Sequence, residues 1–289
     1  MRALAQFIMR GRAQACGTAL VGSLLPLISP AAVGLVALRK GNSEALIVAL
    51  WALLPWLAIY LSSDLTPFMT LVPVAGLVVT LVAAGVLRVI VSWQWTLLVT
   101  AFLSAVSAAA FAFIANVAVD QIVADVAGLV AQVNSQAGVS EELQFVPSRA
   151  FVLGLLAWMV ALTAVASLFV ARWWQAVLFN PGGFKEEFHQ FRLDKTLAIA
   201  MFAVVVVGVA LPREYAPWIE LVSLPLLIAG IAMVHSSVAL MGWGGQWLGL
   251  MYFGLLFIGP TGVLLVGLAV VDSILNLRSR LAAFKNRNS

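Results

Sequence analysis

Few side chains in this sequence are of kinds that do chemistry. There are two histidines, His189 and His235, one cysteine, Cys16, and twelve carboxylates in 289 residues. Nucleophilic catalysis needs a nucleophile within reach of a base, and metal binding needs several ligands at short spacing. The sequence offers no such pattern: no GxSxG, no HExxH, no GxGD-type aspartyl pair, no rhomboid-like Gly-Ser with a distant histidine, and no glycine-rich phosphate loop. The two histidines are expected in different environments, His189 in a charged stretch and His235 in an apolar one. Cys16 lies in an early apolar run with no disulfide partner and reads as a small buried hydrophobe. The expectation is a non-enzymatic protein with no cofactor and no metal.

What remains is polar chemistry at the edges of apolar segments. An ionisable group in lipid costs about 2.5–3.5 kcal/mol on insertion scales, so each needs a reason. Asp64, Asn116 and Asp120 fall where they would line an outward cavity, if they are not simply solvated loop residues. His235, beside Ser236 and Ser237, is either a ligand or relay residue or a histidine hydrogen-bonded to a neighbouring helix. These four are the candidate binding residues. Asp272 precedes Arg278 by about one and a half helical turns and is expected to pair with a basic group.

The elements that would position these groups follow from composition. The chain is 63% hydrophobic and 10% charged, against about 25% charged in a soluble domain. Its solvent must be lipid, and it reads as one integral-membrane domain over 1–289. The expected fold is all-α, a polytopic transmembrane helical bundle of roughly eight to ten membrane segments. Clear spans are 43–62, 67–87, 96–116, 150–171, 196–212 and 217–237. Two regions, about 13–38 with Pro26 and Pro30, and 246–275 with Gly259-Pro260, read as proline-broken hairpins or re-entrant pairs. The basic, apolar N-terminus is read as a retained first membrane segment.

Charge sets the orientation. With the N- and C-termini in the cytoplasm, 14 of the 16 basic residues lie inside, leaving only Arg149 and Arg213 outside. The net charge of +4 is therefore a membrane-orientation signal and gives no reason to invoke nucleic acid. Trp93, Trp95, Trp173, Trp174, Trp218, Trp243 and Trp247 fall at segment ends, as belt residues do, while Trp51, Trp56 and Trp158 read as packing residues. Residues 117–147 read as an external amphipathic segment, with Ile122, Val126, Leu129, Val130 and Val133 on its apolar face. Residues 180–195 turn on Pro181-Gly182-Gly183 and carry six charges. They read as a cytoplasmic amphipathic helix with Phe184, Phe188 and Phe191 on one face, an interfacial anchor or a docking site for a partner.

Four stretches together carry a resemblance: 30-PAAVGLVALRKG-41, 172-RWWQAVLFNPGGFKEEFHQFRL-193, 234-VHSSVAL-240 and 271-VDSILNLRSRL-281. They resemble the YybS-like family of uncharacterised bacterial multi-pass membrane proteins. Gly267-Leu268 and Asn276 depart from the family pattern. The family is similar in hydropathy to the substrate-binding S components of energy-coupling-factor transporters. That resemblance implies a bacterial inner-membrane protein that binds a small molecule from the outer side. It also implies docking on a membrane partner or separate ATPase module through a small-residue patch, which Ala15 and Ala19 would supply. The alternative is a membrane scaffold or assembly factor that docks partners through 180–195.

Overall fold

The computed structural model describes residues 1–25, 27–62, 68–137 and 145–287. They form fourteen α-helices and no strand among the described residues. The fold is an all-α polytopic helical bundle. Helices α4 (Asn42–Ser62), α5 (Phe68–Ile90), α6 (Trp93–Ile114), α7 (Asn116–Gln136), α8 (Arg149–Phe179) and α11 (Ala216–Met241) are long and apolar enough to cross a membrane. This makes the chain a multi-pass membrane protein. A helix satisfies its backbone hydrogen bonds internally, as lipid demands, except where Pro55, Pro73 and Pro225 interrupt α4, α5 and α11. The chain divides into two compact units, Met1–Asn180 with Leu211–Leu221, and Pro181–Ala210 with Val222–Ser289.

In the first unit, α1 (Arg2–Arg10), α2 (Arg12–Gly22) and α3 (Ile28–Lys40) precede α4. Helices α2 and α3 rise about 16 and 20 Å, less than the roughly 30 Å of a bilayer's hydrocarbon. Helix α3 is the centre of the unit, packed by α2, α4, α5 and α8, and every residue from Ala31 to Leu38 is buried. Lipid gives apolar side chains no reason to leave it, so small residues that permit close approach hold such helices together. A side chain at Gly34 would stand 3.0 Å from Ala171 Cβ on α8. Helix α3 ends on Gly41, whose φ of 104° suits glycine, and Arg88 closes the turn by donating to the Ala37 carbonyl at 3.2 Å. Arg39 lies over the Phe179 ring at 4.2 Å.

At the break between α2 and α3, Ser23 donates its hydroxyl to the Ala19 carbonyl at 2.8 Å and approaches the Ala52 carbonyl at 3.0 Å. Pro26, expected to help make this break, lies outside the described residues. Pro30 sits in the first turn of α3, where its missing N–H costs no internal hydrogen bond.

Helix α7 lies on α5, α6 and α8, with Val119 and Ile122 buried, Val123, Val126 and Val130 partly covered, and Leu129 and Val133 exposed. One expectation of packing is corrected here. Trp174 is fully buried, with no belt position, because α8 runs 31 residues and carries Trp174 into the core beside α3.

The second unit holds α9 (Gly183–Gln190), α10 (Lys195–Val209), most of α11, α12 (Gln246–Phe257), α13 (Pro260–Leu275) and α14 (Leu277–Arg287). Helices α10 and α12 pack on α13. Pro260 opens α13 at its first position, so the broken region 246–275 is two short apolar helices. Asn276, in the left-handed conformation, bends α14 by 74° from α13. The charged stretch 180–195 is helical only over the eight residues of α9. Phe191 follows in extended backbone, so it does not share a helical face with Phe184 and Phe188. Asp194 then caps α10, accepting from Thr196 N–H at 3.0 Å.

Candidate functional site

The first unit contains a cavity of about 820 Å³. The last two turns of α4, the first turns of α5, the end of α6 and the start of α7 enclose it, so it opens at one end of these helices. Its walls are Leu53, Trp56, Leu57, Leu71, Val74, Ala75, Phe111 and Ile114. Among the described residues, Tyr60, Thr70, Asn116, Gln121 and the indole of Trp56 bring polar groups to its lining. Asn116 lies where α6 ends and α7 begins, and its Oδ1 accepts from Val117 N–H at 2.8 Å. Behind Trp56 a second cavity of about 300 Å³ lies against the α2–α3 break, lined by Ser23, Ser29, Pro30, Pro73 and Thr163. Trp56 thus separates two spaces.

A cavity with apolar walls and a few convergent polar groups suits a small molecule with one polar end. Pro55 and Pro73 lie inside α4 and α5, where each removes a backbone donor, and Pro73 lines the smaller cavity.

The candidate residues separate. Asn116 lines the large cavity. Asp120 does not: it faces away and forms an ion pair with Arg149, which also donates to the Ala112 carbonyl at 3.1 Å. The carboxylate one turn along α7 finds the cation at the start of α8, and this contact ties the two helices. Asp64 lies outside the described residues. Ala15 and Ala19, the docking candidates, are 1% and 0% exposed and packed within their own unit, where α2 meets α3 and α4. Their small side chains serve internal packing and present no surface to another protein.

The second unit gathers the remaining candidates, and here the expectation of separate environments for the histidines is corrected. His235 Nε2 and Tyr252 Oη are 2.9 Å apart. The Phe188 ring meets His235 edge-on at 5.4 Å, and the His189 ring lies 6.4 Å from it. Phe191 is 7% exposed, and Phe184 and Phe188 are half-buried with ring centroids 6.1 Å apart. The three phenylalanines therefore anchor the stretch to its own unit.

Arg278 fastens this arrangement. Its Nη1 donates to the His189 carbonyl at 2.5 Å, its Nη2 to the Phe191 carbonyl at 2.7 Å, and its Nε stands 3.1 Å from Asp272 Oδ2. Asp272 is 1% exposed, so the pair is taken out of solvent together. The pairing expected for Asp272 is thus present, and the carbonyls at the end of α9 are capped by a side chain 87 residues away. Burial, then the charges of Lys185 and Arg278, hold the His189 imidazolium less favoured than in water, below the ordinary value of 6.5. Among the described residues no three His, Cys, Asp or Glu side chains gather as a metal site would require.

Sequence reasoning missed Tyr60, Gln121 and Tyr252, and the bonds of Arg278 to the carbonyls at the end of α9. Tyr60 and Gln121 sit at segment ends like many solvated residues, and no spacing in the sequence joins Tyr252 to His235. No family model, no curated protein and no solved structure matches the chain.

Proposed function

We propose that this multi-pass membrane protein binds a small, largely apolar molecule with one polar end in the cavity between α4, α5, α6 and α7. The supporting observation is the cavity itself: about 820 Å³, apolar walls, and Tyr60, Asn116 and Gln121 at one end. Drug-sized ligands occupy cavities of roughly 300–1,000 Å³. The motifs that resemble the YybS-like family agree with a place in the bacterial inner membrane and with a role like that of a transporter's S component. In that role the chain supplies recognition. It has no phosphate loop, so driven movement of the ligand would need a separate ATPase module. The scaffold reading finds less support, because the phenylalanines that would dock a partner through 180–195 are turned into their own unit.

The test is native mass spectrometry of the protein extracted from its own membranes in mild detergent. An added mass of small-molecule size is expected on the wild type. It should be lost in Ala118→Trp, which puts a large ring at a residue that lines the cavity, and reduced in Asn116→Leu, which removes an amide from the lining. An adduct retained at full occupancy in Ala118→Trp places the ligand elsewhere and overturns the assignment.

A further inference from the structure

The second unit holds a cleft of about 560 Å³ between the end of α9, the last turns of α11 and the α13–α14 bend. Its polar lining includes His189, Arg192, Ser236, Asn276 and Arg278, and no carboxylate among the described residues lines it. Arg278 is already spent on two carbonyls and on Asp272. Arg192 is exposed, and neither its guanidinium nor the His189 ring nitrogens have a hydrogen-bond partner among the described residues. Ser236 is 5% exposed and lines the cleft. Unspent donors around a concave, acid-free space are the features that bind a phosphate.

We infer that this cleft binds a phosphate-bearing anion, held by Arg192, His189 and Ser236. The surroundings match the headgroup of an anionic phospholipid. The cleft lies at the end of α11 that leads directly into the turn carrying Trp243 and Trp247, whose stacked, exposed rings are of the type that seats in the headgroup zone. Helix α14, which forms one wall, is bent 74° from α13 and presents Arg280, Lys285, Arg287 and the exposed Phe284. A basic helix with an apolar anchor, set across a membrane helix, follows an anionic surface. A free phosphate offers the same chemistry. The inference does not depend on the ligand of the α4–α7 cavity.

The charged and titratable groups around His189 are Lys185 on its own helix, Arg192 beyond it, His235 from α11 with Tyr252 behind it, and Arg278 with Asp272 from the α13–α14 bend. Cations prevail near the ring, so a bound phosphate supplies the missing counter-charge. Anion retention should strengthen as pH falls through the His189 value, which burial, Lys185 and Arg278 hold below the ordinary 6.5, because the imidazolium is the stronger donor.

The experiment uses the full chain, delipidated in detergent. It is offered phosphatidylglycerol or phosphatidylcholine and followed by native mass spectrometry, with inorganic phosphate in parallel followed by thermal stability. Preferential retention of phosphatidylglycerol, weakened about five-fold by Arg192→Gln and weakened also by His189→Gln, supports the site with a lipid headgroup in it. No lipid preference, with stabilisation by phosphate that Arg192→Gln removes, supports the site with a free phosphate. Equal retention of both lipids and no effect of phosphate, or binding unchanged in both variants, overturns it. Arg192 is exposed, so its variant should unfold at the wild-type temperature when no anion is added, which separates loss of binding from loss of fold.

Discussion

Arg278 does three jobs with one guanidinium. It closes the end of α9, holds the extended residues after it, and neutralises Asp272. Removing one partner of a buried pair leaves the other uncompensated, at a cost of about 3–5 kcal/mol. Arg278→Gln is therefore expected to lower the thermal unfolding midpoint in detergent sharply, and Asp272→Asn to do nearly as much. Replacing both with apolar residues of similar size should recover much of the loss. If both single variants melt like the wild type, the pair does not hold the second unit together. His189 gives a different signal. Its folded proton affinity lies below its unfolded one, because burial and then Lys185 and Arg278 oppose the charge. The unfolded chain thus takes up the proton first. The stability that His189 contributes is full above about pH 6.5 and is lost as pH falls through the lower folded value. His189→Gln should flatten that acid limb of the melting curve, and an unchanged limb would assign it to other groups.

At the scale of elements, close approach decides which helices belong together. A Cβ at Gly230 on α11 would collide with the backbone carbonyl of Leu265 on α13, and backbone cannot step aside as a flexible side chain can. Gly230→Ala should destabilise by about 1–3 kcal/mol or more, measured as a lower melting midpoint. Gly249→Ala, which meets nothing within 4 Å, is the control. A Gly230→Ala protein as stable as the control would mean that the two helices do not pack through this glycine. This scale also shows what could be read before the fold was seen. Most of the long helices were legible, since unbroken apolar runs such as 43–62 admit one reading in lipid; α7, read as an external segment, is itself long and apolar enough to cross, and the span expected over 196–212 is the shorter α10. The broken regions were legible from Pro30 and Gly259-Pro260. Which face of each helix turns inward was not. On α8 the lipid-facing and protein-facing residues are both apolar, so periodicity loses its contrast. Trp174 was misplaced for that reason. Asn116 was legible as a cavity residue because a polar side chain at the end of an apolar run stands out. Asp120 was not, because its partner Arg149 comes from another helix, 29 residues on.

For the whole molecule, the distribution of arginine and lysine supports placing Lys185 in the cytoplasm and Arg213 outside. In a Cys16→Ser background, a membrane-impermeant maleimide applied to intact cells should label Arg213→Cys and spare Lys185→Cys. The opposite pattern would reverse the orientation and turn the α4–α7 cavity towards the cytoplasm. That cavity remains the centre of the functional reading. The most direct measurement is a cryo-electron microscopy map of the protein purified with its native lipids, examined between Trp56, Tyr60, Ala75 and Asn116. Continuous non-protein density there, with its polar end near Asn116, is the expected result. A space collapsed by the approach of α4 and α7, with Trp56 against Asn116 and no room for a ligand, would contradict it.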